Sequence, residues 1–235
     1  MWAILKKEYF AFFSSLIGLG LLSIFFFTIG LYTWFFEGNV FDYGFAELSV
    51  FFEVSPWFFM FFIPALCMKL YAEEFEQKTF SLLNSLPISL NQIIIGKSLS
   101  ALMVVITCLL PTFLFVYSIG QLGSPKNNFD TSLLMGAYLS IICISIVFIF
   151  LSSLASVVSN KQPLAFILGV FMNFLFFQIP EELKSFSGFD AEFFSLKSHF
   201  LNLSKGLIDF SDIFFFGGFS LVIYSLILFR LKSKT

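Results

Sequence analysis

Six apolar windows, each close to the length of a bilayer-spanning helix, divide this chain. A helix crossing a hydrocarbon core about 30 Å thick needs about 20 mainly apolar residues. The windows run over about 10–36, 55–71, 98–120, 132–158, 163–179 and 213–229. Tyr32 and Trp34 sit where an interfacial belt belongs, Ser55-Pro56-Trp57 reads as an N-cap followed by a first-turn proline, and Lys69 is placed to snorkel. Only 12% of the residues are charged and 58% are hydrophobic, whereas a soluble domain carries about 25% charge. The first window is longer than the apolar core of a cleaved leader, about 7 to 15 residues, and is expected to stay as a span. The expected fold is an all-α integral membrane protein: one transmembrane domain over residues 1–235, with six spans, an N-terminal interfacial helix, a cytoplasmic helix and an outer-side amphipathic helix.

Orientation follows from the basic residues between the spans. Nine of the 13, Lys6, Lys7, Lys69, Lys78, Lys97, Lys161, Arg230, Lys232 and Lys234, fall in one alternating set of segments, and Lys126, Lys184, Lys197 and Lys205 in the other. Most of the acidic residues are in the second set, so both termini are expected on the cytoplasmic side.

The long connections carry patterns of their own. Trp2, Leu5, Tyr9 and Phe12 recur at helical spacing and predict a short helix lying at the inner interface. In the cytoplasmic loop 72–97, Phe75, Thr79, Leu82, Leu83 and Leu86 share one helical face, Pro87 stops that helix and Ser89 can cap the next. Such a helix fits a groove on a soluble partner, or else rests on membrane lipid. In the periplasmic loop 180–212, Phe193, Leu196, Phe200, Leu203 and Leu207 form a stripe, with Gly206 as a helix end and caps at Asp209 to Asp212. That stripe is expected on the outer leaflet or against a second copy. His199 beside it, the single histidine, suits a structural role.

The chemistry of most enzyme classes is missing. Gly96-Lys97-Ser98 imitates the end of a phosphate-binding loop, but Asn91 stands where its first glycine is needed. Glu73-Glu74 and Glu181-Glu182 lie outside the spans, with no partner spaced for intramembrane hydrolysis. No window has a charge near its middle to hold a coupling ion, so an energy source is expected elsewhere. Cys67, Cys108 and Cys143 lie in separate apolar stretches and read as buried thiols, and no long basic run marks a nucleic-acid surface. No catalytic, cofactor or metal residue is expected. Pro64 and Pro111 are placed to kink spans two and three, and Ser14 and Gly18, with Gly20, give span one a small-residue face.

A series of motifs carries a resemblance. They are Ile4-Leu5-Lys6-Lys7-Glu8, Asp42-Tyr43-Gly44-Phe45-Ala46, Pro56-Trp57, Ile63-Pro64-Ala65, Leu82-Leu83, Leu86-Pro87-Ile88-Ser89, Gly96-Lys97, Leu110-Pro111-Thr112, Gln121-Leu122-Gly123-Ser124-Pro125, His199-Phe200 and Ser204-Lys205-Gly206-Leu207-Ile208-Asp209. In their order and spacing the chain resembles the six-helix permease subunits of type-2 ABC exporters, in particular the gliding-motility-associated GldF group of Bacteroidetes. The resemblance implies a multi-pass protein of the bacterial inner membrane, paired with a second permease subunit and driven by a separate cytoplasmic ATP-binding subunit that holds ATP and Mg. It also implies that Thr79, Phe80, Leu82, Leu83, Leu86 and Pro87 form the coupling helix that docks on that subunit. The chain departs from the family's usual run before the leucines, with Ser81 where an acid is common. A membrane scaffold that docks partners of a motility or secretion complex without transporting is the alternative reading of the same surfaces.

Overall fold

The computed structural model describes residues 1–36, 49–84, 87–122, 130–187, 195–206 and 209–234. The described residues form helices and no strand: α1 (Trp2–Phe13), α2 (Leu16–Trp34), α3 (Ser49–Met68), α4 (Phe80–Asn84), α5 (Leu90–Leu109), α6 (Thr131–Val158), α7 (Gln162–Ser187), α8 (Leu196–Ser204) and α9 (Phe210–Lys232). Helix α3 continues through a π turn, Lys69–Glu73, to Glu76, and α5 continues through a 3-10 turn, Leu110–Thr112, to Leu122. Six helical stretches are long and apolar enough to cross a membrane. The chain is therefore an all-α, multi-pass membrane protein.

Helix α6 is the axis of the bundle, packed on α3, α7, α8 and α9. Its buried positions include Ala137, Ile141, Ile144, Phe148, Leu151 and Ala155, which recur at helical spacing and bury one side against neighbours in turn. Asp130 caps its first turn, accepting from the backbone N–H of Ser132 at 2.8 Å. Gly169 of α7 allows a close crossing, because a Cβ there would stand 3.0 Å from Cβ of Pro64 on α3.

Both chain ends lie at one end of the bundle, here called the terminal face. The Met1 carbonyl lies 3.3 Å from where a Cβ on Gly96 would stand, at the start of α5. Lys234 Nζ donates to the Val157 carbonyl, at the end of α6, at 2.8 Å.

Several bounds depart from the apolar windows. Residues 10–13 belong to α1, and the first span starts at Leu16 because Ser15 caps it, accepting from the Gly18 N–H at 2.9 Å. Gly18 permits the close approach of α1 to α2 at this elbow, since a Cβ there would fall 2.1 Å from the Phe12 carbonyl oxygen, while Gly20 faces open space. Helix α1 also packs on α5, with Ile4 and Leu5 buried, Trp2 and Phe10 exposed, and the Tyr9 hydroxyl 3.1 Å from Thr107 Oγ1. Ser55 is not a cap: α3 starts at Ser49, and the Ser55 hydroxyl donates to the Phe51 carbonyl inside the helix at 2.6 Å.

The two prolines differ. The α-helix passes through Pro64, and the irregular turn of that span falls five residues later, at Lys69. Pro111 lies in the 3-10 turn, whose Thr112 hydroxyl bonds the Leu109 carbonyl at 2.6 Å and meets the Tyr138 hydroxyl of α6 at 2.9 Å. Span three starts at Leu90, eight residues before its apolar window, so Lys97 lies within the helix. Ser89 caps it as expected, and Gln92 completes a capping box with the Ser89 N–H.

At the opposite end the amphipathic stripe meets a different partner from the one expected. Leu196, Phe200 and Leu203 of α8 are buried within the chain itself, against α6 and α7, and so rest neither on lipid nor on a second copy. Phe193 and Leu207 lie outside the described residues. Gly136 permits the approach of α8, since a Cβ there would stand 2.6 Å from the Leu203 carbonyl oxygen. Gly206, at φ +78°, turns the chain just beyond α8 in the left-handed region that glycine tolerates. Asp209 caps α9 through the Ser211 N–H at 3.1 Å, and these bonds hold its carboxyl below the usual aspartate range. Asp212 pairs instead with His199, whose Nδ1 lies 2.5 Å from Asp212 Oδ1 and whose ring stacks on Phe215 at 4.1 Å.

Candidate functional site

The terminal face holds a buried cation that the apolar windows had excluded from the spans. Lys97 is 1% exposed, and an isolated ammonium at such depth would be prohibitively costly. Its Nζ lies 2.7 Å from Glu74 Oε1 and 3.6 Å from Glu8 Oε1, donates to the Leu70 carbonyl, and sits 5.0 Å from the centre of the Tyr71 ring. Three elements therefore meet on one charge: α1 through Glu8, the end of span two through Leu70, Tyr71 and Glu74, and α5 through Lys97. Lys7, 3.4 Å from Glu8 and 4.0 Å from Glu74, adds a second cation at the rim. Glu74 Oε2 is buried with no hydrogen-bond partner among the described residues, so its other oxygen carries the contacts.

The π turn makes this convergence possible. In a regular helix the Ala72 amide would bond the Met68 carbonyl. Here the Ser156 hydroxyl of α6 is inserted in that link, donating to Met68 O at 3.2 Å and accepting from Ala72 N at 3.0 Å and Tyr71 N at 3.3 Å. A widened turn satisfied by a side chain from another helix is a common form of helix irregularity at functional positions. It ties span two to α6 at the level where span two meets Lys97.

Beyond Glu76 the chain reverses. The N–H of Thr79 bonds the Glu74 carbonyl at 2.9 Å and that of Lys78 bonds the Phe75 carbonyl at 3.2 Å, a Schellman arrangement with Lys78 at φ 57° where glycine is usual. This turn launches α4. Phe80 is buried and packs on Phe75 with ring centres 4.9 Å apart, and Leu83 packs on the core. Leu82 is 68% exposed, Ser81 and Pro87 are exposed, and Thr79 is half-buried. Leu86 lies outside the described residues. The expected shared face thus divides: Leu83, together with Phe80 from outside that face, anchors α4 to its own chain, and Leu82 is presented outward.

The C-terminal tail closes the site. Lys234 Nζ sits 3.8 Å from the centre of the Phe75 ring and reaches Asn160 Oδ1 at 3.1 Å. Partial burial, with Arg230 nearby, holds this ammonium below the usual lysine range. Glu74, Phe75, Phe80, Ser81, Asn160 and Lys234 line a groove of about 570 Å³ beside α4.

Among the described residues no group of histidine, cysteine or carboxylate side chains could hold a metal ion. The cysteines Cys67, Cys108 and Cys143 are buried free thiols. On this face a short helix, seated by two side chains and offering a third, lies beside a buried ion cluster that joins α1, span two and α5, while Ser156 ties span two to α6. Sequence reasoning located α4 but missed Lys97, Glu74 and Ser156. The signal for Lys97 was present in the capping box at Ser89, which places it in the third turn of its helix.

Residues 43–229 match the model of a family described as ABC-2 family transporter protein. No curated protein matches the chain.

Proposed function

The chain belongs to the ABC-2 transporter family, so it is a membrane permease subunit of an ABC transporter, and from that premise we propose that it couples ATP hydrolysis by a separate cytoplasmic subunit to export. The single observation that carries this reading is α4, a short helix seated by Phe80 and Leu83 with Leu82 at 68% exposure. In this account the segment Thr79 to Pro87 docks on the ATP-binding subunit, which holds ATP and Mg, and the terminal face is cytoplasmic in the bacterial inner membrane. The charge asymmetry of the loops supports that orientation.

A displacement of α4 would pass by two routes. Phe80 presses on Phe75, and Glu74 next to it grips Lys97, which carries the motion into α5 and, through Glu8, into α1. The Ser156 link carries it into α6. Packed helices joined in this way move as bodies, which fits a switch between inward and outward access. A second permease subunit completes the pathway, and spans with no charge near their middle favour an apolar or amphiphilic cargo. The order of motifs favours a gliding-motility-associated exporter of the GldF group.

The test is capture of the ATP-binding subunit of the same organism by the solubilised protein. Wild type is expected to capture it and Leu82→Asp to lose it while keeping its thermal stability. Capture unchanged by Leu82→Asp, or ATP binding by this chain alone, overturns the reading.

A further inference from the structure

A second cavity lies away from α4, in the angle between α1, α2, span two and α5. It has a volume of about 190 Å³. Its deeper wall is apolar, formed by Phe12, Leu21, Leu66 and Val104, and its other end carries Glu8, Lys69 and Glu73. Ile17, 50% exposed, is part of its lining, and Leu16 and Leu19 beside it are exposed on the same helix, so the cavity opens toward the bilayer.

The charges at its polar end are not equivalent. Glu8 is already neutralised by Lys7 and Lys97. The hydroxyls of Ser15 and Ser100 also line the cavity but donate to the carbonyls of Phe12 and Lys97, at 2.9 Å and 2.7 Å. Lys69, half-buried, makes no ion pair within 4 Å among the described residues. Glu73, also half-buried, spends one oxygen on the Gln77 amide at 3.2 Å. The cavity thus offers one cation and one partly committed carboxylate above an apolar wall.

From this arrangement we propose that the cavity is a binding site for the headgroup of a zwitterionic phospholipid with a primary amine, of the phosphatidylethanolamine class. Lys69 takes the phosphate and Glu73 takes the ammonium. The ammonium N–H groups supply the donors that a carboxylate oxygen lacks, which a trimethylammonium does not. The volume admits a headgroup and leaves the acyl chains in the bilayer, along the exposed side of α2. An anionic headgroup would satisfy Lys69 and be repelled by Glu73. The proposal requires only that the chain lies in a membrane and stands apart from the docking of α4.

Native mass spectrometry of the delipidated protein, titrated with matched palmitoyl-oleoyl phosphatidylethanolamine, phosphatidylcholine and phosphatidylglycerol, tests it. One phosphatidylethanolamine should be retained about tenfold better than the other two, the ratio expected for one charge-assisted hydrogen bond. Glu73→Gln should remove the preference over phosphatidylcholine, and Lys69→Met should lower retention of phosphatidylethanolamine itself. Lys232→Met, which removes an exposed cation at the same end, should leave both unchanged. Equal retention of the three lipids, a preference for phosphatidylglycerol, or variant spectra matching wild type overturns the assignment. Loss of the α4 interaction in Leu82→Asp with lipid selectivity intact would leave this proposal standing.

Discussion

Lys97 Nζ stands 2.7 Å from Glu74 Oε1, joining the third span to the end of the second inside the protein. The pair is nearly dry, with side-chain exposures of 1% and 12%. Removing one member of such a pair leaves an uncompensated buried charge.

Lys97→Met is therefore expected to cost about 3 to 5 kcal/mol, read as a fall in the unfolding temperature of the solubilised protein. Adding Glu74→Gln to it should recover part of that loss, because the orphaned carboxylate is gone. Additive losses in the double variant would show that the two side chains do not interact.

Ser156→Ala should cost about 1 to 3 kcal/mol, since the N–H groups of Tyr71 and Ala72 lose their acceptor at the π turn. Ser145→Ala is the matched comparison: the Ser145 hydroxyl is buried on the same helix with no hydrogen-bond partner among the described residues, so its loss should be neutral or stabilising. Thermal unfolding of the two variants side by side reads the difference. Equal effects would mean that the Ser156 link carries no weight.

Gly136→Ala places a methyl group 2.6 Å from the Leu203 carbonyl and 2.8 Å from Gly206 Cα, both backbone atoms that have little room to give. Displacement of α8 and a loss of about 1 to 3 kcal/mol are expected. Gly20→Ala, into open space, should be silent or slightly stabilising. Protease sensitivity of the α8 region, faster in Gly136→Ala alone, checks it.

The number of spans and their order were legible because apolar windows of bilayer length have few other uses. Their ends were not, since a window stops at a charge whereas a helix does not. Lys97 and Glu74 fall outside the windows, yet lie inside their helices because each neutralises the other. The stripe of α8 was legible as a pattern at Leu196, Phe200 and Leu203, but periodicity says which face is apolar and not what covers it. The π turn has no signature in residues 69–73, because the group that stabilises it, Ser156, is more than 80 residues away in sequence. Helix α4 was foreseen as a unit, while the division between seated Leu83 and presented Leu82 depends on how the Lys78 turn aims it.

The central claim is that α4 meets the ATP-binding subunit. The direct measurement is crosslinking of that subunit to Leu82→Cys in membranes, with the three native thiols left in place because they are buried. A crosslink from Leu82→Cys whose yield changes with ATP, and none from Lys205→Cys at the opposite end, is the result this account predicts. No crosslink from Leu82→Cys, in membranes where both subunits are present and the complex is intact, would contradict it.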